Sequence, residues 1–196
     1  PMHIPVTVKT RLGYEDSALF LDIVAGIEAA GASELTIHAR TKRHGYRPPA
    51  YWDAIADARE MLALPIIANG EIWSIDDALR CRAVTGCDDL MLGRGVLCRP
   101  DLPRLIAAAT ASGDSPESLH WGDITPLLAT FFELNLQRYD THNAGNPLKQ
   151  WLVYLRGYFP QAALLFERIK RLRTPDDIRS VLHQTQPTGP ADRCAA

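Results

Sequence analysis

Apolar residues come in two rhythms along this chain. Four short runs, Val6–Lys9, Glu34–His38, the stretch opening at Pro65 and ending in Asn69-Gly70-Glu71, and Asp89–Leu92, read as continuous rather than alternating, which predicts parallel strands covered on both faces. Between them the apolar positions fall at helical spacing. A helix from about Ser17 turns Phe20, Ile23, Val24 and Ile27 inward, with Asp16 or Ser17 as its cap and Gly31 as its stop. A second helix, Trp52–Leu62, points Ile55 and Met61 inward. A third, Ile75–Val84, is capped by Ser74 and stopped by Thr85-Gly86, and a fourth runs from Asp101 to about Ala111. Strands recur every roughly 24 to 31 residues, the size of one β-α unit. Four such units in residues 1–110 predict the C-terminal half of an eightfold (β/α)8 TIM barrel. A doubly wound open sheet is the competing architecture. Glycine-bearing loops after the third and fourth strands favour the barrel, which places phosphate sites on its last two loops.

The rhythm then changes. Residues 111–123 are polar and turn-rich, a linker. Helical spacing without strands follows over 124–142, 147–159, 160–172 and 175–184, with Pro126 and Pro175 near helix starts and Pro147 and Pro160 dividing neighbours. The fold class is therefore α/β plus all-α, with a small helical bundle domain at 124–184. Residues 185–196 read as a disordered tail.

Composition narrows the classes. At 196 residues, 46% hydrophobic and 22% charged, the chain is ordinary for a soluble globular protein. No apolar run reaches the roughly 20 residues a membrane span needs, and no secretion signal opens the chain. It begins on Pro1 with a strand almost at once, as expected from the interior of a longer product. Four cysteines without C-x-x-C spacing point to free thiols in a cytoplasmic setting, without a metal. Net charge is only −2, but residues 40–47 carry four Arg/Lys and no acid, and residues 147–182 carry seven against three. Such clusters suit phosphates.

Candidate chemistry gathers at the strand ends. Gly70, in Asn69-Gly70-Glu71, lets backbone approach a ligand, since it has no Cβ. Gly93-Arg94-Gly95 joins a flexible turn to a permanent forked cation. Two such motifs on adjacent strand ends form a candidate phosphate site. Lys9 and His38 end the first two strands; either could be a structural residue snorkelling from the sheet, yet two polar strand ends at one rim favour a ligand.

The stretches VTVKTRLG, ELTIHARTKRHGYR, PIIANGEI and DLMLGRG resemble tRNA-dihydrouridine synthases, and PLKQWLVYLRGYF resembles their C-terminal helical domain. The helical segment is most similar to the bacterial C subfamily, known for uridine 16 of tRNA. The resemblance implies an FMN enzyme that uses NADPH to reduce the C5–C6 bond of a D-loop uridine. It implies that Lys9 and His38 lie by the flavin, that Asn69, Gly70, Glu71, Gly93 and Arg94 cradle its phosphate and ribityl chain, and that Tyr46, Lys149, Tyr154 and Lys170 touch tRNA. Pro147 departs from a basic residue in close relatives. The family's proton-donating cysteine lies in a Gly-Cys-Pro-Ser-like loop. Gly86-Cys87 is followed here by Asp88-Asp89, so no catalytic residue is assigned. The first four β-α units are also absent, and the segment alone is expected to be inactive and to need that half-barrel as partner. Rival readings are another FMN barrel acting on a small molecule, a free-standing RNA-binding module, and a flavin-free barrel for a sugar phosphate.

Overall fold

The computed structural model describes residues 4–111 and 116–186. Within them the chain divides into two compact units that part between Gly95 and Val96.

The first unit is a four-stranded, wholly parallel sheet in the order β1-β2-β3-β4, with β1 Thr7–Arg11, β2 Glu34–His38, β3 Ile66–Asn69 and β4 Asp89–Met91. Sequence order and spatial order coincide, so no switch point of the kind that defines a doubly wound sheet occurs among these strands. Helices α1 Phe20–Ala29, α2 Asp53–Met61 and α3 Ile75–Thr85 connect them. The core lies between sheet and helices and includes Leu35, Ile37, Ile55, Ala58, Ala68, Ala78 and Cys81, all without exposed surface.

Uniform burial of the strands is the expectation that fails first. β2 and β3 are largely buried, whereas β1 and β4 are half open, and Val6, just before β1, is exposed. The reason is positional: the two outer strands each have a neighbour on one side only. Two helix faces are corrected as well. Ile23 and Met61 are exposed, and Phe20 with Val24, then Ile55 with Ala58, make the inward contacts instead. Helix α1 also starts later than Ser17, because the Asp16 carboxylate accepts from the Ala18 amide at 2.9 Å and closes a turn ahead of the helix. Around α3 the local chemistry works as the residue types dictate. Ser74 Oγ accepts from the Asp77 amide at 3.0 Å, and Gly86 ends the helix at φ 66°.

The second unit is helical: α5 Leu102–Ala111, α6 Trp121–Leu136, α7 Gly145–Leu155, α8 Pro160–Ile169 and α9 Pro175–Thr185, after the short α4 Arg94–Cys98 that leads into it. Helix α5 groups with these helices rather than with the sheet. Residues spaced three and four apart build its core: Ile124, Leu128 and Phe132 of α6, Leu148, Leu152 and Leu155 of α7, Leu165 and Ile169 of α8, and Ile178 and Leu182 of α9. Helix α6 begins inside the expected linker, since Asp123 accepts from the His120 amide at 2.9 Å. Pro126 therefore falls inside the helix, and the Thr125 hydroxyl donates to the Gly122 carbonyl, at 3.3 Å, that a non-proline amide would otherwise have used. Of the expected tail, Thr185 closes α9, and 187–196 lie outside the described residues. Among the described residues no helix is long and apolar enough to cross a membrane.

Candidate functional site

Parallel register places the polar strand ends side by side. Arg11 pairs with His38, His38 with Asn69, and Asn69 with Met91, so one row across the sheet carries a guanidinium, an imidazole and an amide at neighbouring C-terminal ends. Lys9 lies two residues before Arg11 on the same face. Its ammonium donates to Asn69 Oδ1 at 3.1 Å, and Asn69 Nδ2 donates to the Met91 carbonyl at 2.6 Å. A chain of hydrogen bonds thus runs from β1 through β3 to β4 and fixes the Lys9 head group. Burial, followed by the charge of Arg11, holds the Lys9 pKa below its ordinary value.

The loop after β3 is the most constrained part of this surface. Gly70 has φ 124° and Glu71 φ 59°. A Cβ at Gly70 would meet the Ala39 amide nitrogen at 3.6 Å and His38 Nε2 at 3.7 Å, in a backbone conformation that side chains rarely adopt. Glu71 is the only non-glycine described with positive φ, a conformation that costs on the order of 1 kcal/mol. Both oxygens of its carboxylate are held: one pairs with Arg40, and the other accepts from Trp73 Nε1 at 2.9 Å. Burial alone would raise the Glu71 pKa. The hydrogen bonds from Arg40 and Trp73, with the charges of Arg40 and Arg94, bring it below the usual carboxylate value.

Arg40 was not singled out by the sequence, although it stands in the basic stretch. It is 0% exposed, donates from Nε to the Pro49 carbonyl at 3.0 Å, pairs with Glu71, and leaves Nη1 with no hydrogen-bond partner among the described residues. Arg11 was missed too; its Nη1 donates to the Thr41 and Gly45 carbonyls at 3.0 and 3.1 Å and pins the loop after β2. Each stands two residues beyond a polar strand position, Lys9 or His38, and that spacing was the signal for both. Arg94 lies against Tyr46 and Trp73, its guanidinium carbon 4.7 and 4.9 Å from the two ring centroids. Tyr46, expected at RNA, is thus also stacked among the strand-end cations, with Arg11 5.3 Å from the same ring. Gly93 is exposed and has open space where a Cβ would lie, so nothing in its surroundings demands glycine.

His38 is the electrostatic centre. Burial lowers its pKa most, and Arg11, Lys9, Arg40 and Arg94 lower it further, to about 4. The ring is neutral near pH 7, and its buried Nδ1 has no hydrogen-bond partner among the described residues. Because the unfolded ring titrates near 6.5, the unfolded chain binds more protons between those values. Stability should therefore fall as pH drops from about 6.5 to about 4 and gain no further loss from this group below that. His38→Asn should flatten that part of the stability–pH curve, measured by denaturant unfolding.

Four cations around a neutral imidazole, with one carboxylate already engaged, form a candidate anion site. The unfilled hydrogen-bonding capacity of His38 Nδ1 and Arg40 Nη1 and the Cβ-free backbone at Gly70 suit a phosphorylated ligand brought close to backbone. The two thiols of this unit are of another kind. Cys87 precedes β4, at the opposite end of the strand from Arg94, and burial pushes its pKa up; burial drives Cys81 to about 12. Among the described residues no group of three or more His, Cys, Asp or Glu is placed to hold a metal.

The helical unit holds the other predicted positions. Lys149 and Lys170 line one cavity of about 400 Å³, together with His142, Arg171 and Arg173. Lys149 Nζ donates to the Leu172 carbonyl at 2.7 Å, which ties α7 to the segment after α8; burial, then Arg173, lowers its pKa. Lys170 pairs with Glu167. Tyr154 is half-buried and does not line this cavity. Arg168, one of the cations of this stretch, instead bonds Gln184 at 2.7 Å and links α8 to α9.

The family model for dihydrouridine synthase (Dus) matches residues 1–182. The tRNA-dihydrouridine(16) synthase of Aquipseudomonas alcaligenes is 42% identical over 182 residues, covering 93% of this chain and 58% of that protein. Those of Shewanella oneidensis and Pseudomonas syringae pv. tomato are 44% and 43% identical, covering 95% and 93% of this chain and 57% of each relative. The chain thus spans under two thirds of the length of these relatives. A family match over residues 1–182 settles its kinship: the chain belongs to the dihydrouridine synthase family.

Proposed function

We propose that this chain supplies the flavin-holding strand ends and a tRNA-binding helical unit of a tRNA-dihydrouridine synthase, which reduces the C5–C6 bond of a D-loop uridine with NADPH through FMN. One observation carries the reading: Lys9, Arg11, Arg40 and Arg94 surround His38 at the ends of parallel strands in a member of this family. The sheet is read as the C-terminal half of a (β/α)8 barrel, which its unbroken sequential order supports. The strand-bearing unit serves as the barrel half, and the helical unit from α6 onward as the tRNA-binding domain.

In this reading Lys9 and His38 face the flavin ring, while Asn69, Gly70, Glu71, Gly93 and Arg94 hold the ribityl phosphate. FMN, when bound, supplies hydride transfer to the uracil ring. The protein's part is to bind and orient. Asn69 aims the Lys9 ammonium, and the pair formed with Arg40 keeps the loop at Gly70-Glu71 close to the ligand. The neutral His38 ring offers a hydrogen bond without a further charge. Cys81 and Cys87 are buried away from the C-terminal strand ends, so neither is placed to hand a proton to the uracil ring, and the chain by itself is read as forming no dihydrouridine. A target uridine must leave its stack before its ring can reach a flavin, and Tyr46, Lys149, Tyr154 and Lys170 contribute contacts to the surrounding tRNA.

The test is tRNA binding. Unmodified tRNA should bind the chain with an affinity that falls steeply between about 50 and 200 mM salt, as phosphate neutralisation requires. Binding that is absent, or indifferent to salt, would remove tRNA from the assignment and leave a small-molecule flavoprotein.

A further inference from the structure

Two cavities in the helical unit share a wall. Asn143 and Asn146 line both. On one side lies the basic cavity, whose lining holds four Lys/Arg and no carboxylate. On the other lies a space of about 510 Å³ lined by Tyr139, Asp140, Pro147 and Gln150 besides the two asparagines, with no cation. Cationic groups are thus confined to one compartment, while the other offers an aromatic ring, amides and the Asp140 carboxylate.

The shared wall is stiffened internally. Asp140 accepts from the Asn143 amide nitrogen and from its Nδ2, both at 3.0 Å, and Asn143 Oδ1 accepts from Asn146 Nδ2 at 3.2 Å. Those bonds use the Asn143 side chain on both ends. They leave Asn146 Oδ1 and the whole Gln150 amide without a hydrogen bond among the described residues. Tyr139 is 52% exposed and has no ring neighbour among the described residues. An open aromatic face, an amide with both donor and acceptor to offer, and a spare carbonyl oxygen are the groups that hold a nucleobase by stacking and edge hydrogen bonds. A cationic cavity next door suits the phosphate of the same nucleotide.

We propose that this pair of cavities is a nucleotide-reading site: one unstacked base of the RNA lies on Tyr139 against Gln150 and Asn146, and its backbone phosphate enters the cavity of Lys149, Lys170, Arg171 and Arg173. The proposal rests on tRNA being the ligand and adds a base-reading function to a unit otherwise described by its charge. A base paired in an A-form helix cannot reach such a pocket, so the nucleotide comes from a loop or bulge.

The experiment measures binding of unmodified tRNA by the whole chain across a salt series, for the wild type, Tyr139→Ala, Gln150→Ala and Lys170→Ala. Tyr139 and Gln150 are exposed, and unchanged thermal unfolding will confirm that each variant folds. Tyr139→Ala should weaken binding about tenfold with the salt slope intact, since stacking is lost and no charge is. Gln150→Ala should weaken it by a few fold and level the affinities of hairpins that differ in a single loop base. Lys170→Ala should lower the salt slope by about one. Wild-type affinity, slope and base preference in both Tyr139→Ala and Gln150→Ala would overturn the proposal. Failure of the wild type to bind tRNA at all would instead overturn the assignment of tRNA as ligand, and this inference with it.

Discussion

Glu71→Ala should cost the chain about 3 kcal/mol of stability, a large share of the roughly 5–15 kcal/mol that holds a domain together. Arg40 is 0% exposed and Glu71 is its one ion-pair partner among the described residues, so truncating the carboxylate strands a buried guanidinium that already has one unfilled nitrogen. Removing one member of a buried pair costs about 3–5 kcal/mol, chiefly through the uncompensated charge. The Glu71 side chain is 24% exposed, which lets water reach the vacated position and puts the loss at the lower end of that range. Alanine would also inherit the φ of 59° without the two hydrogen bonds that hold it there. Denaturant unfolding gives the measurement. Glu71→Ala with Arg40→Met should recover part of the loss, because the stranded charge is gone. A loss below about 1 kcal/mol would show that the pair does not organise this loop.

Arg94→Ala should weaken FMN binding by about tenfold to a hundredfold. A hydrogen bond to a charged group is worth about 1.5–3 kcal/mol, and about 1.4 kcal/mol is a factor of ten in affinity. Arg94 stacks between Tyr46 and Trp73, so its fork is oriented before the ligand arrives and little freedom is lost on binding. Stability should change little, since its hydrogen bond to the Tyr46 carbonyl is long, at 3.5 Å. Fluorescence titration reads the first effect and unfolding the second.

What could be read in advance follows the range of the forces involved. Local signals were legible: Ser74 caps α3, Gly86 ends it, Pro160 and Pro175 open their helices, and β2 begins and ends where its residues suggest. The strand-end residues were legible as polar groups interrupting apolar runs. Positions set by distant partners were not. Ile23 and Met61 have the right helical spacing yet face solvent, because the neighbours that would cover them are not decided within their helices. Arg40 read as one more surface cation until the fold enclosed it against Pro49 and Glu71. Tyr139 and Gln150 carry no charge pattern, and only folding brings the 139–143 turn beside α7 to make a pocket. The early start of α6 turned on a single contact from Asp123 to the His120 amide, inside a stretch whose composition reads as linker.

The central claim is that Lys9, His38, Asn69 and Arg94 converge on one phosphorylated flavin. Titrating the chain with FMN and with riboflavin, in wild type and Arg94→Ala, tests it most directly, because the two ligands differ only in the phosphate. FMN should bind the wild type at least tenfold more tightly than riboflavin, and Arg94→Ala should erase most of that difference. Equal affinities for the two flavins, or a preference for FMN that survives the loss of Arg94, would contradict it.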